Sequence, residues 1–205
     1  MNITRKLILL TVTAFLIFSF CACSDSSDVE VPEGCRIASS EALDCYFAYP
    51  AAMWRPGETA GYISVMKANN AEDGSSFVVN RWEIDGIIGS KDYWEGINNE
   101  PVNTDKATVS DPDSGYGGYE YMLSELVEGY KVISAKEKTV DGHDAYEVVY
   151  EGKIASLDYR IMQITVARIS GAKTVIYELT YTSTPEFFEQ NLPDVETMIA
   201  EFKIK

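Results

Sequence analysis

The stretch "KVISAKEKTVDGHDAYEVVYEG", residues 131–152, decides the fold of this chain. It holds two segments, 131–140 and 143–152, in which polar and apolar residues tend to alternate, and Asp141-Gly142 separates them. Alternation with a period of two is typical of β-strands. The Asp-Gly dipeptide favours the positive φ angles that a two-residue type I′ turn requires. The sequence therefore predicts an antiparallel β-hairpin here.

Further strands are predicted on both sides of this hairpin. Segments 158–170 and 174–182 flank Gly171 and form a second predicted hairpin. The last of these strands has one apolar face and one largely polar face. Its apolar face consists of Val175, Tyr177, Leu179 and Tyr181. Upstream, three strand-like segments predict an antiparallel meander: 45–50, 61–68 and 77–84.

Two helices are predicted between the meander and the hairpins. Residues 90–99 form the first, with Ser90 as its N-cap. Residues 119–130 form the second, in which Gly129 is a stop signal. The segment between them, residues 100–118, is a long polar connection, and loops of this length are either functional or mobile.

The carboxyl-terminal region has the pattern of an amphipathic helix. Ser183 and Glu186 fit a capping box, Pro185 is tolerated in the first turn, and Pro193 is expected to bend or restart the helix. One stripe of the helix is apolar: Phe188, Leu192, Val195, Met198, Ile199 and Phe202. An amphipathic helix packed on a sheet with one apolar face predicts an α+β sandwich.

The amino terminus has the features of an export signal. Arg5 and Lys6 precede sixteen mostly apolar residues, 7–22. About 20 apolar residues are needed to cross a bilayer, so this run suits the core of a signal peptide better. The stretch "FCAC", residues 20–23, resembles the lipobox of bacterial lipoproteins, which implies cleavage after residue 22 and lipid attachment to Cys23. Secretion without lipid and an uncleaved anchor stay open as alternatives.

Cleavage divides the chain into three parts. Residues 1–22 are the predicted signal peptide, residues 23–43 a polar flexible tether, and residues 44–205 a single domain. Cys35 and Cys45 then remain as an even pair of thiols in an exported protein. The sequence permits a disulfide between them and equally permits two free thiols.

The charge of the chain excludes one class of partner. The full chain has a net charge of −15, and loss of the two basic residues in 1–22 leaves 15 basic and 32 acidic residues, a net charge of −17. A nucleic-acid-binding protein needs a basic surface, which is not visible here. Anionic lipids would also repel the mature chain, so attachment to the membrane is assigned to the lipid alone.

No catalytic or metal-binding pattern is convincing in this sequence. The single histidine, His143, follows the predicted tight turn, where it is poorly placed for a catalytic triad. Ser64 and Lys67 match a serine–lysine motif, but in a strand they point to opposite faces. The segment 111–118 lacks the spacing of a calcium-binding EF-hand loop, which leaves weak calcium binding or a turn-rich loop. We therefore expect no enzyme activity, no cofactor and no metal.

Three segments together resemble a known family. They are "YFAYPAAMW" (46–54), "VDGHDAYEVVYE" (140–151) and "YELTYTSTPEFFEQNLPDVETMIAEFKI" (177–204). The pattern is similar to that of the PsbP-like and DcrB-like lipoproteins. This resemblance implies a sheet of about six antiparallel strands between helices, and a mostly non-enzymatic family.

The resemblance and the export signal together set the functional expectation. We expect a lipid-anchored, extracytoplasmic, non-catalytic domain that binds a cell-envelope protein or a small ligand. An accessory subunit of a membrane transporter or of a cell-wall complex is the alternative, and an uncharacterised hydrolase is the third possibility. The identity of the partner does not follow from the sequence.

Overall fold

A computed structural model describes residues 30–57, 61–68, 73–96 and 119–205. The chain divides into two units, Met1–Glu30 and Val31–Lys205, and every element below belongs to the second. Within the described ranges, none of the helices combines the length and the apolar character needed to cross a membrane.

Ten strands and three helices form this described part of the chain. The strands are β1 (Cys35–Ser40), β2 (Cys45–Pro50), β3 (Trp54–Gly57), β4 (Ile63–Lys67), β5 (Ser76–Asp85), β6 (Glu128–Val140), β7 (His143–Ile154), β8 (Leu157–Ser170), β9 (Lys173–Ser183) and β10 (Lys203–Ile204). The helices are α1 (Ser90–Glu95), α2 (Tyr119–Leu126) and α3 (Pro185–Ala200).

The strands form two antiparallel sheets. The main sheet has seven strands in the order β3-β4-β5-β9-β8-β7-β6, and a small sheet has the order β1-β2-β10. The predicted hairpin at 131–152 is confirmed, because Asp141 has φ 50° and Gly142 has φ 76°, the two positive angles of a type I′ turn. The second hairpin is confirmed as well, and Gly171 has φ 65° in its turn.

The predicted meander is wrong in its first strand. β2 pairs with β1 on one edge and with β10 on the other, so it belongs to the small sheet. The place beside β4 is taken by β3, a strand that was not predicted from the sequence. Since both edges of β2 are occupied, it cannot join the main sheet.

The predicted boundary of the domain at residue 44 also needs correction. β1 lies within the segment 23–43, which was expected to be a flexible tether. It pairs with β2 through all six of its residues. The folded unit therefore includes residues 35–40.

Helices lie on both faces of the main sheet, which confirms the α+β sandwich. On one face α3 packs against a large apolar core that also contains residues of the small sheet. On the other face α1 and α2 contribute to two smaller clusters, in which Trp94 and Leu123 pack with Tyr150, and Tyr93 packs with Ile176.

The helix ends differ from the predicted ones. Gly89, and not Ser90, is the N-cap of α1, and the amide nitrogen of Ser90 donates a hydrogen bond to Asp144 Oδ2 at 2.7 Å. Gly96 adopts the left-handed conformation and ends α1 at Glu95. Such a residue is a common helix stop.

α2 and α3 also depart from their predicted limits. α2 ends at Leu126, because residues from Glu128 onward join β6. α3 is continuous through Pro193, and its N-cap is Thr184. The predicted capping box is absent because the helix begins one residue later than predicted, with Thr184 as its N-cap. The Ser183 hydroxyl accepts a hydrogen bond from the Ser75 hydroxyl at 2.8 Å.

Candidate functional site

A groove runs between α3 and the outer strands β6, β7 and β8. Its volume is about 490 Å³, which lies within the range of about 300–1,000 Å³ that is usual for ligand sites. Charged and apolar side chains both line it, among them Lys136, Lys138, Glu147, Arg160, Phe188 and Leu192.

The groove exists because α3 does not reach the edge of the sheet. α3 packs over β8, β9 and β2, whereas β6 is the last strand in the order of the main sheet. Residues 131–137 of β6 are all exposed. The inner face of β6 and α3 therefore form the two walls, with β7 and β8 as the floor between them.

A buried carboxylate lies on the floor beside two lysines. Glu147 is directly opposite Lys136 in the register of β6 and β7. Its two carboxylate oxygens lie 2.9 Å from the ammonium nitrogens of Lys136 and Lys138, respectively. The Glu147 side chain is 7% exposed, and that of Lys136 is 64% exposed. The buried Glu147 carboxylate thus holds two lysine side chains that are more exposed than it is.

The ionisation of Glu147 reflects these neighbours. Burial acts to raise the pKa of its carboxyl group, but the hydrogen bonds and charges of Lys136 and Lys138 outweigh burial and lower the pKa below its ordinary value. Glu147 is therefore a stable anion at neutral pH.

Arg160 connects the floor of the groove with its helical wall. Its Nε donates a hydrogen bond to Glu151 Oε1 at 2.8 Å, and its Nη1 donates one to Glu189 Oε1 at 3.2 Å. The guanidinium carbon also lies 5.4 Å from the centre of the Phe188 ring, within the range of a cation–π contact. These contacts orient the guanidinium group.

Apolar side chains lie between the charged groups. Val149 on β7 and Met162 on β8 form part of the floor, and Phe188, Leu192 and Ile199 come from α3. All except Leu192 are buried. The groove therefore places apolar side chains next to positioned charges.

The structure separates the two cysteines that were considered for a disulfide. Both are free thiols. Cys35 is paired with Pro50 and Cys45 with Ser40, so they lie at opposite ends of β1 and β2. Five residues of strand span about 17 Å, whereas a disulfide needs Cα atoms about 4.4–6.8 Å apart. The bridge is therefore incompatible with this register.

Other residues singled out in the sequence do not come together in the groove. His143 begins β7 beside the type I′ turn. Ser64 and Lys67 lie on β4, where the Lys67 ammonium is 3.1 Å from Asp194 Oδ2. Cys23 and the segment 100–118 lie outside the described residues. Within the described residues, no group of three or more His, Cys, Asp or Glu side chains is arranged to hold a metal ion.

The groups around Glu147 were not predicted, although a local signal for them is present in the sequence. Counting outward from the Asp141-Gly142 turn pairs Lys136 with Glu147. The alternation of β7 also places Glu147 on the same face as Ala145 and Val149. A carboxylate on an apolar face opposite a lysine is a recognisable pattern.

No protein-family model and no curated protein sequence matches the chain. Several solved structures are similar in fold. PA94 from Pseudomonas aeruginosa is 14% identical, with 81% of this chain and 94% of that one covered and a TM-score of 0.44. LpqN from Mycobacterium tuberculosis, a protein involved in cell envelope biogenesis, is 13% identical, with coverage of 87% and 82% and a TM-score of 0.42. Cyanobacterial PsbP from Synechocystis sp. PCC 6803 is 12% identical, with coverage of 91% and 99% and a TM-score of 0.44. Likenesses at this level carry no argument about function.

Proposed function

We propose that this chain is a lipid-anchored, extracytoplasmic, non-catalytic binding module, and that the groove between α3 and β6–β8 is its binding site. The observation that carries the proposal is the combination of positioned charges and apolar surface in one groove. Ligand sites typically combine an apolar lining with a few fixed polar groups.

The chemistry of the groove favours binding over catalysis. A general acid or base works best when its pKa lies near the working pH. The pKa of Glu147 is instead lowered from its ordinary value by the two lysines. Arg160 is held between Glu151 and Glu189. Glu147 therefore stays ionised at neutral pH, and ion-paired groups of this kind are suited to positioning a ligand.

The anchoring part of the proposal rests on the lipobox-like stretch at residues 20–23 and is tested by membrane fractionation. The Cys23→Ala chain should leave the membrane fraction. Cys21→Ala is the matched control, because residue 21 is removed with the signal peptide, and this chain should stay with the membrane. Retention of the Cys23→Ala chain would show that residues 7–22 are an uncleaved anchor.

The binding part is tested by photo-crosslinking in native membranes. Ser134 lines the groove, while the adjacent Ala135 points to the opposite face of β6, and both are exposed. A photoreactive residue at position 134 should give adducts with a partner molecule, and the same residue at position 135 should not. Equal labelling from both positions, or none from 134, would exclude the groove as the binding site.

A further inference from the structure

We propose that the groove binds an amphiphilic monoanion, that is, a molecule with one negatively charged head group on an apolar body. The inference rests on the proposed function, because it names the ligand class for the same groove. It follows from the charge balance around Glu147, the acidic groups at the rim and the apolar lining.

The two lysines leave one positive charge in excess. Among the described residues, Glu147 is the only carboxylate within ion-pair distance of Lys136 or Lys138. Each ammonium group has three N–H donors. Since Lys136 is 64% exposed, it retains donors that can turn toward a ligand. A single anionic head group would complete the charge balance of this cluster.

Glu147 prepares the lysines for a ligand. Its side chain is 7% exposed and bonds to both ammonium groups at 2.9 Å. Its carboxylate therefore restricts the two flexible lysine side chains before a ligand arrives. Groups that are ordered in advance lose less conformational entropy on binding.

Acidic side chains at the rim of the groove disfavour a ligand that carries several negative charges. Glu196 lines the wall formed by α3 and is exposed, as is Glu189, whose charge Arg160 partly balances. The chain as a whole carries a net charge of −15. Like charges within about 8 Å repel each other at physiological ionic strength. A polyanion such as a nucleotide would meet this repulsion, whereas a monoanion on the lysines would largely avoid it.

The remaining surface of the groove suits an apolar body. Met162, Phe188 and Leu192 line it next to the charged cluster. Burying one CH₂ group contributes about 0.8 kcal/mol, which corresponds to about fourfold in affinity. Affinity should therefore rise with the length of an alkyl chain until the groove is full.

The test is a calorimetric titration of the full, lipidated chain in phosphatidylcholine nanodiscs, with empty nanodiscs as the blank. Octanoate is the probe, hexanoate is the shorter chain, and octyltrimethylammonium and citrate are the charge controls. Octanoate should bind about 15-fold more tightly than hexanoate, since two CH₂ groups each contribute about fourfold. Octyltrimethylammonium, a cation, and citrate, a trianion, should not bind.

Variants identify the site within the groove. Lys136→Gln should weaken octanoate binding about tenfold while the protein keeps its melting temperature, because Lys138 still pairs with Glu147. Lys91→Gln is the control, since Lys91 pairs with Glu137 outside the groove, and it should leave binding unchanged. Equal binding of octanoate and octyltrimethylammonium, or unchanged binding by Lys136→Gln, would overturn the proposal.

Failure of this inference can be told apart from failure of the proposed function. If octanoate does not bind but position 134 still crosslinks to a partner, only the ligand class is wrong. If octanoate does not bind and position 134 gives no adduct, the groove is not a binding site.

Discussion

The indole nitrogen of Trp54 donates a hydrogen bond to Asp194 Oδ2 at 2.7 Å, which joins β3 to α3. The ammonium nitrogen of Lys67 lies 3.1 Å from the same oxygen and 5.1 Å from the centre of the Trp54 ring. Trp54 is fully buried. One carboxylate therefore satisfies both an indole N–H and a lysine at the contact between the helix and the main sheet.

Replacement of Asp194 by alanine should destabilise the protein by about 2–3 kcal/mol, because it leaves the Trp54 N–H and the Lys67 ammonium without their acceptor. Urea denaturation measures this change. Gln190→Ala, an exposed position on the same helix, is the control and should change stability by less than about 0.5 kcal/mol. Equal effects of the two substitutions would show that the contact is not stabilising.

A second polar contact holds α3 about one turn nearer its amino end. The Asn191 side-chain amide donates hydrogen bonds to Asp73 Oδ2 at 2.8 Å and to Ser75 Oγ at 3.0 Å, and all three residues are buried. Asn191→Asp keeps the shape but places a second carboxylate against Asp73. We expect a loss of about 2–4 kcal/mol at neutral pH.

The matched control for Asn191→Asp is the double variant Asp73→Asn/Asn191→Asp. It exchanges the acid and the amide, so one charge remains and a hydrogen bond between the two side chains can form again. Thermal unfolding should show partial recovery of stability in the double variant. A double variant less stable than Asn191→Asp alone would contradict the expected coupling.

The stabilisation from Glu147 should depend on pH in a defined direction. Its pKa in the folded protein is lowered below 4.5, despite burial, because of Lys136 and Lys138. The stabilisation is thus fully present above pH 4.5, the ordinary pKa of the group, and is lost as the pH falls through the folded-state pKa of Glu147. The difference in unfolding free energy between the natural chain and Glu147→Gln should be largest at neutral pH and should shrink in acid.

The control for this pH series is Glu137→Gln, an exposed acid paired with Lys91. Exposed ion pairs contribute little to stability, so its effect should be small at every pH. A Glu147→Gln difference that grows as the pH falls would contradict the assigned direction of the pKa shift.

The two thiols should react differently with an alkylating reagent. Burial raises the pKa of Cys45 to about 12, and it also raises that of the partly exposed Cys35. Because the thiolate is the reactive species, Cys45 should resist labelling in the folded protein and Cys35 should react slowly.

After unfolding in urea without a reducing agent, both thiols should label fully, since no disulfide protects them. Mass spectrometry of tryptic peptides locates each label. Cys45→Ser removes one label and confirms the assignment. Resistance of both thiols in urea, lifted by a reductant, would show that a disulfide is present after all.

Local signals explain which elements were predictable. Positive φ at Asp141 and Gly142 and the period-two alternation on either side are properties of neighbouring residues, and the hairpin was predicted correctly. The stripe of α3 was also predicted correctly, and four of its residues inside the helix are buried: Phe188, Val195, Met198 and Ile199. The predicted capping box is absent because α3 begins one residue later, with Thr184 as its N-cap, while the Ser183 hydroxyl bonds to Ser75, which is distant in sequence.

The sequence by itself determined the type and the approximate extent of most strands and helices, the antiparallel hairpins and the α+β class, because each depends on the periodicity and turn chemistry of a short segment. Only the tertiary structure decided that β2 belongs to the small sheet, that Cys35 and Cys45 lie apart, and that β6 extends beyond α3 to form a groove. These features depend on which distant segments pack together. That choice is made by the burial of the whole core and not by any one stretch of residues.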